Sequence, residues 1–386
     1  MTNQRLIKTI SIILICVGLI GALTILIYGE KYQGVSDMVP WGSLISIYIF
    51  FAASSVGLTL IASLWYIFKI PAFKVLTKRA LVLAIISVVL GFIAIGLELG
   101  NPLNMIWLIF SPNITSGIWW MGTLYVLYLG FRMLTVYFLY KNHEARVVLF
   151  SRITVAAGIL AVSNLGAVFG NLHARPFWQG TAMPIYFMIV ALLSGAAIMA
   201  ITYYLVEKFK PEGDGGESIV PILGKVLLVS IAVTGFYKFW NMISYLYGQV
   251  PGKFEAAMAL LAGPLSFSFW VLEVGLALVI PAIILATSGF APLRVFVASS
   301  ILLVGVFFMH VNFITAGQIV PLEIVPGQTE MIYHSYVMMP AEWAVFLGTI
   351  GGGLLLVLWA EKKFFSKDIF PTVISEKTQK EVTDNV

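Results

Sequence analysis

The chain has 386 residues, 60% hydrophobic and 11% charged, with a net charge of +5. Soluble domains carry roughly 25% charged residues, so this composition excludes a soluble globular protein and leaves an integral membrane protein. A single cysteine, Cys16, excludes an intrachain disulfide, a Cys-ligated iron–sulfur cluster and a thiolate zinc site, each of which needs several.

A membrane span needs about 20 mostly apolar residues. Ten such stretches run along the chain, at 6–28, 42–68, 79–98, 117–140, 150–170, 181–206, 220–247, 264–288, 292–314 and 340–360. All are expected to be helices, because lipid offers no water to backbone N–H and C=O groups. The first follows Arg5 and Lys8 as a signal peptide would, but it is long for an h-region and lacks a clear cleavage site, so it reads as a retained span. Eighteen of the 23 Lys and Arg then fall on one side, three (Lys31, Arg175, Lys253) on the other, and Arg132 and Lys238 within spans. This asymmetry predicts that both termini are cytoplasmic and five loops are external, in the cell membrane. The expected fold is all-α, with residues 1–365 as one polytopic domain and 366–386 as a charged, disordered cytoplasmic tail. Pro211 to Ser218, PEGDGGES, reads as a flexible linker. Helix 2 (PWGSLISIYIFFAASSVG) and helix 6 (MPIYFMIVALLSGAA) each start near a proline, then carry tyrosine and a small-residue patch. This faint repeat predicts two four-helix bundles, helices 2–5 and 6–9, flanked by helices 1 and 10.

The external segments are the chemically rich ones. Glu98 to Trp120, ELGNPLNMIWLIFSPNITSGIWW, breaks at Pro102 and Pro112 and holds three tryptophans and no Lys or Arg. It brings a carboxylate to the edge of the hydrocarbon, as a pocket for an amphipathic ring would require. Glu98 is a candidate proton acceptor near neutral pH, through partial desolvation; a solvated helix end is the plain alternative. In Asn171 to Trp178, NLHARPFW, His173 can exchange a proton and Phe177 and Trp178 offer ring faces, whereas an interfacial aromatic belt would use the same residues. Charges inside spans default to functional candidates. Lys238 and Glu273 lie on adjacent helices and read either as a structural ion pair or as a proton relay. Arg132, near the inner half of helix 4, reads as a snorkelling side chain. His310 and Asn312 lie late in helix 9, and Glu342 opens helix 10.

Six stretches carry a resemblance. VPWGSLISIYIFFAASSVG, ELGNPLNMIWLIFSPNITSGIWWMG and NLHARPFWQGTAMPIYFMIVALLSG are similar to the polysulfide reductase membrane subunits, the NrfD/PsrC family. WVLEVGLALVIP, MHVNFITAGQ and YVMMPAEWAVFLGTIGGG resemble its ten-helix branch, typified by HybB and DsrP. There Glu273, Pro281, Asn312, Gly317, Pro340 and Glu342 match, Gly275 is displaced, and His310 replaces an expected Arg. The resemblance implies a quinone- or menaquinol-binding anchor of a respiratory oxidoreductase complex, without haem or metal of its own. It would dock a ferredoxin-like iron–sulfur subunit on the external face, with further catalytic or cytochrome subunits beyond. Carried over, the quinone-pocket candidates are Glu98, Asn113, Trp120, His173, Arg175 and Trp178, and the proton-relay candidates are Arg132, Lys238, Glu273, His310 and Asn312. A secondary transporter, suggested by ten helices, a repeat and intramembrane charges, stays open from the residues alone. So does a haem-carrying cytochrome b-like anchor using two of His143, His173, His310 and His334.

Overall fold

A computed structural model describes residues 2–208, 218–287, 289–322 and 332–365. The tail from 366 and nearly all of the polar linker (211–217) lie outside them. Among the described residues there is helix and no strand. Ten helices are long and apolar enough to cross a membrane: α1 (Thr2–Tyr28), α2 (Ser43–Tyr66), α3 (Thr77–Glu98), α4 (Gly117–Tyr140), α5 (Glu144–Gly170), α6 (Met183–Lys208), α7 (Val220–Gly248), α8 (Ser268–Thr287), α9 (Pro292–Ala316) and α10 (Pro340–Ala360). Helix α5 starts six residues before the expected 150. Glu144 and Arg146 end the hydropathy signal but not the backbone ladder, so the helix continues out of the apolar layer. Proline opens α7, α9 and α10, where its missing N–H costs nothing.

The packing yields the two bundles. Helices α2–α5 form one and α6–α9 the other, while α1 lies along α10 and the pair leans on α3. The bundles join through α2 and α6, with α9 also touching α2 and α5 also touching α6. This reciprocity is what an axis along the membrane normal between two related halves would give. At the α2–α6 crossing the backbones touch: a Cβ on Gly57 would run into Ala191, and one on Gly195 into Gly57. Gly18 of α1 and Gly348 of α10 meet in the same way. With no water to expel between helices in lipid, such close backbone packing is a main source of association. At the basic, terminus-bearing face, Arg79 makes a two-pronged ion pair with Glu361 (2.8 and 3.1 Å), tying α3 to the end of α10.

At the opposite, aromatic face, Glu342 fastens three segments. Its carboxylate is fully buried and accepts from Ser43 N–H and Oγ (3.1 and 2.7 Å), Tyr336 OH (2.7 Å), Gly34 N–H (3.0 Å) and Met339 N–H (2.8 Å). Two of these amides belong to the starts of α2 and α10, where helix dipoles favour negative charge. Burial and the neighbouring carboxylate push the Tyr336 phenol far above its ordinary range, so it stays a donor.

Candidate functional site

Two polar clusters lie within the bundles, one in each. In the second bundle, α7 carries Lys238, Asn241 and Tyr245 at i, i+3 and i+7, which places them on one face. They line a cleft with Phe177, Tyr186, Tyr237, Phe269, Glu273, Asn312 and Phe313. Its empty volume, mouth included, is about 490 Å³. Tyr186 and Tyr237 stack with centroids 5.3 Å apart. The Tyr237 and Tyr245 hydroxyls donate to the carbonyls of Ala182 (3.3 Å) and Phe177 (3.1 Å), and Lys253 Nζ donates to Gln179 O (2.8 Å), so the 171–182 loop roofs the cleft.

At the base, Lys238 Nζ pairs with Glu273 Oε1 and lies 5.3 Å from the Tyr186 ring centroid. Glu273 is 1% exposed. Asn312 Nδ2 donates to its other oxygen (2.7 Å), and Ser268 Oγ donates to Asn312 Oδ1 (2.7 Å). Glu273 sits in a π-helical stretch, Ser268–Val279, that forms the first part of α8. Such widened turns are frequent at functional sites. The stretch also spans Gly275, whose displacement was visible in the sequence. The pair lies toward the aromatic face: Lys238 is ten residues short of the end of α7, about 15 Å at 1.5 Å per residue, and Glu273 and Asn312 are nearer their helix ends. His310 does not join this network. Two residues along a helix turn a side chain by about 200°, and the buried His310 ring meets Phe50 of α2 instead (6.3 Å).

Arg132 departs from the sequence expectation. It does not snorkel to the membrane surface but is buried within the first bundle. There Nη2 donates to Thr59 Oγ1 and to Tyr128 OH (3.2 Å). Inward hydroxyls on α2 and α4 hold the guanidinium where lipid-facing residues would have let it turn outward.

The remaining candidates lie at the aromatic face but are not gathered in one place. Arg175 donates to the carbonyls of Gln318 (3.0 Å) and Met38 (3.3 Å), and partial burial pulls its guanidinium below the usual range. The Gln318 amide in turn makes paired bonds of 2.9 Å with the Trp41 backbone. Trp178 is buried, stacks on Trp41 (5.2 Å), donates to Phe313 O (2.8 Å) and covers Gly317, where any Cβ would strike the indole. Arg175 and Trp178 thus clasp the ends of α2 and α9 together. His173 is exposed, 3.3 Å from Gln179 Nε2. Asn113 closes its own turn onto Thr115, and Trp120 donates to Ile114 O (2.8 Å). The 99–116 segment presents Leu103 (80% exposed), Ile109 and Phe110 outward. Glu98 keeps one buried oxygen without a hydrogen-bond partner, beside the Gly42 amide and within reach of Glu342 and Glu30. The sequence reading missed Tyr186, Tyr237, Asn241, Tyr245, Phe269 and Phe313 as cleft walls. The signal was there in α7, as polar residues on the face that Lys238 shares.

A ten-helix, two-bundle membrane protein with an aromatic-walled cleft over a buried Lys–Glu–Asn cluster is the class that fold and site define. Residues 31–322 match the polysulphide reductase NrfD family, and the chain belongs to that family. It is 23% identical to a selenate reductase subunit of Mesobacillus selenatarsenatis, over 92% of each chain. It is also 25% identical to the Hdr-like menaquinol oxidoreductase integral membrane subunit of Archaeoglobus fulgidus, over 91% of this chain and 89% of that one.

Proposed function

We propose that this chain is the quinone- or quinol-binding membrane subunit of a respiratory oxidoreductase complex, and that the ring binds in the cleft of the second bundle. The observation that carries this reading is the cleft itself. Aromatic walls with a few convergent polar groups are what a small amphipathic ring needs, and a menaquinol oxidoreductase subunit is among the relatives. Quinol oxidation delivers two electrons and two protons. Asn312 and Asn241 supply hydrogen bonds that orient a ring, and the Lys238–Glu273 pair supplies a site where a proton is held and passed on. His173, exposed on the same 171–182 loop, is the position from which a proton can leave to water. Glu98, with its unpartnered oxygen, is the second position for proton release, on the first bundle. Arg132 and His310 lie outside this sequence of groups.

The basic face is then cytoplasmic, and the aromatic face outside the membrane carries the docking partner. The ferredoxin-like iron–sulfur subunit belongs there, within reach of the roofing loop, taking electrons to or from a catalytic subunit. A photoreactive menaquinone analogue should label α7 or α8 in the assembled complex, and Asn312→Ala should raise the quinol KM without loss of assembly. Labelling confined to the Glu98–Trp120 region, with unchanged kinetics in Asn312→Ala, would overturn this placement. A reporter fused at the C-terminus tests the orientation; an external reporter would reverse it.

A further inference from the structure

Arg132 poses a charge-balance problem that the quinone reading does not solve. It is 4% exposed, about two turns from the end of α4 at the basic face. Among the described residues no carboxylate pairs with it. Taking a cation out of water costs several kcal/mol even after relaxation unless an opposite charge compensates. Its partners are neutral and already committed: the Thr59 and Tyr128 hydroxyls both donate to Ser55 O (3.0 and 2.9 Å). They can accept from the guanidinium, but they cannot neutralise it.

Beside it lies a small cavity lined by Thr59, Tyr66, Arg132, Thr135, Ser151 and Thr154. Thr135 and Thr154 donate to their own helices. Arg132 Nε, by contrast, is a buried donor without a partner, and buried Ser151 Oγ has only the Tyr66 phenol of the same lining beside it. The cavity's empty volume, mouth included, is about 260 Å³, with room for one small guest. The approach is from the basic face. Arg152 Nε reaches Tyr66 O (3.4 Å), at the end of α2, and the Lys69 and Lys74 ammonium groups lie over the Trp65 ring (5.2 and 5.4 Å). That approach concentrates anions and repels cations.

We infer that this cavity binds one small monovalent anion of halide size, held by Arg132 and Ser151, which neutralises the guanidinium inside the first bundle. A water could satisfy the donors but would leave the charge unbalanced.

The test is equilibrium binding of radiolabelled chloride to the purified assembled complex, read by scintillation proximity. Saturable binding of one chloride per chain is expected, displaced by bromide, unaffected by gluconate, and abolished in Arg132→Gln. Absence of saturable binding to the wild-type complex would falsify the proposal, and so would equal binding in Arg132→Gln, which would put the ion elsewhere. If Arg132→Gln fails to assemble, Ser151→Ala replaces it. Loss of that one donor should weaken chloride by about five- to tenfold, and an unchanged affinity overturns the assignment.

Discussion

The two bundles solve the same problem, a cation inside a membrane, in different ways. In the second, Lys238 has a carboxylate partner, Glu273, which Asn312 and Ser268 brace through a chain of hydrogen bonds. The pair borders an aromatic-walled cleft toward the aromatic face. In the first, Arg132 has, among the described residues, hydroxyls and a cavity at the opposite depth. A lysine–carboxylate pair can hand over a proton; a guanidinium stays charged at any accessible pH. On the proposed function, the first bundle is therefore built round a fixed charge and the second round a transferable one.

The sharpest way to break this comparison is to separate the halves. Gly195→Val forces a side chain into the α2 backbone at Gly57, and no folded, monodisperse protein should be recovered by size-exclusion chromatography in detergent. Next, Glu273→Leu strands Lys238, with an expected loss of about 3–5 kcal/mol. The double variant Lys238→Met/Glu273→Leu should recover a large part of it, measured by thermal unfolding in detergent. Arg132→Met strands no carboxylate and should cost less, about 1–3 kcal/mol for the bonds lost at Thr59 and Tyr128. If Arg132→Met proved as damaging as Glu273→Leu, the distinction between the bundles would fail. Trp178→Phe removes the indole N–H on Phe313 O and part of the ring that stacks on Trp41 and covers Gly317, at the junction between the bundles, and should cost about 1–3 kcal/mol by the same assay. Asn113→Ala, on an exposed turn, should stay within about 0.5 kcal/mol.

The helices and their division into bundles were legible because hydropathy and small-residue patches are local signals. Lys238 and Glu273 were legible as a pair because charges in spans are rare and their helices are adjacent in sequence. Their partner Asn312 was visible only as a polar residue, since the bond to Glu273 depends on how α9 packs against α8. The opening stretch from Glu98 to Trp120 drew attention through its composition. Asn101 and Asn113 turn out to serve local turns, a use that composition cannot distinguish from ligand binding. Arg132 shows the opposite failure: its distance from the helix end suggested snorkelling, and the face it occupies was not read. The cleft walls were missed because Tyr186, Tyr237 and Phe313 look like ordinary membrane aromatics until three helices bring them together.

The meeting of Gly57 with Gly195 has a mechanical consequence. Two backbones in direct contact, with no side chains between them to act as a bearing, leave little freedom for one half to swing against the other. Alternating-access carriers depend on such rocking, so a riveted seam of this kind suits a stationary frame better than a moving carrier.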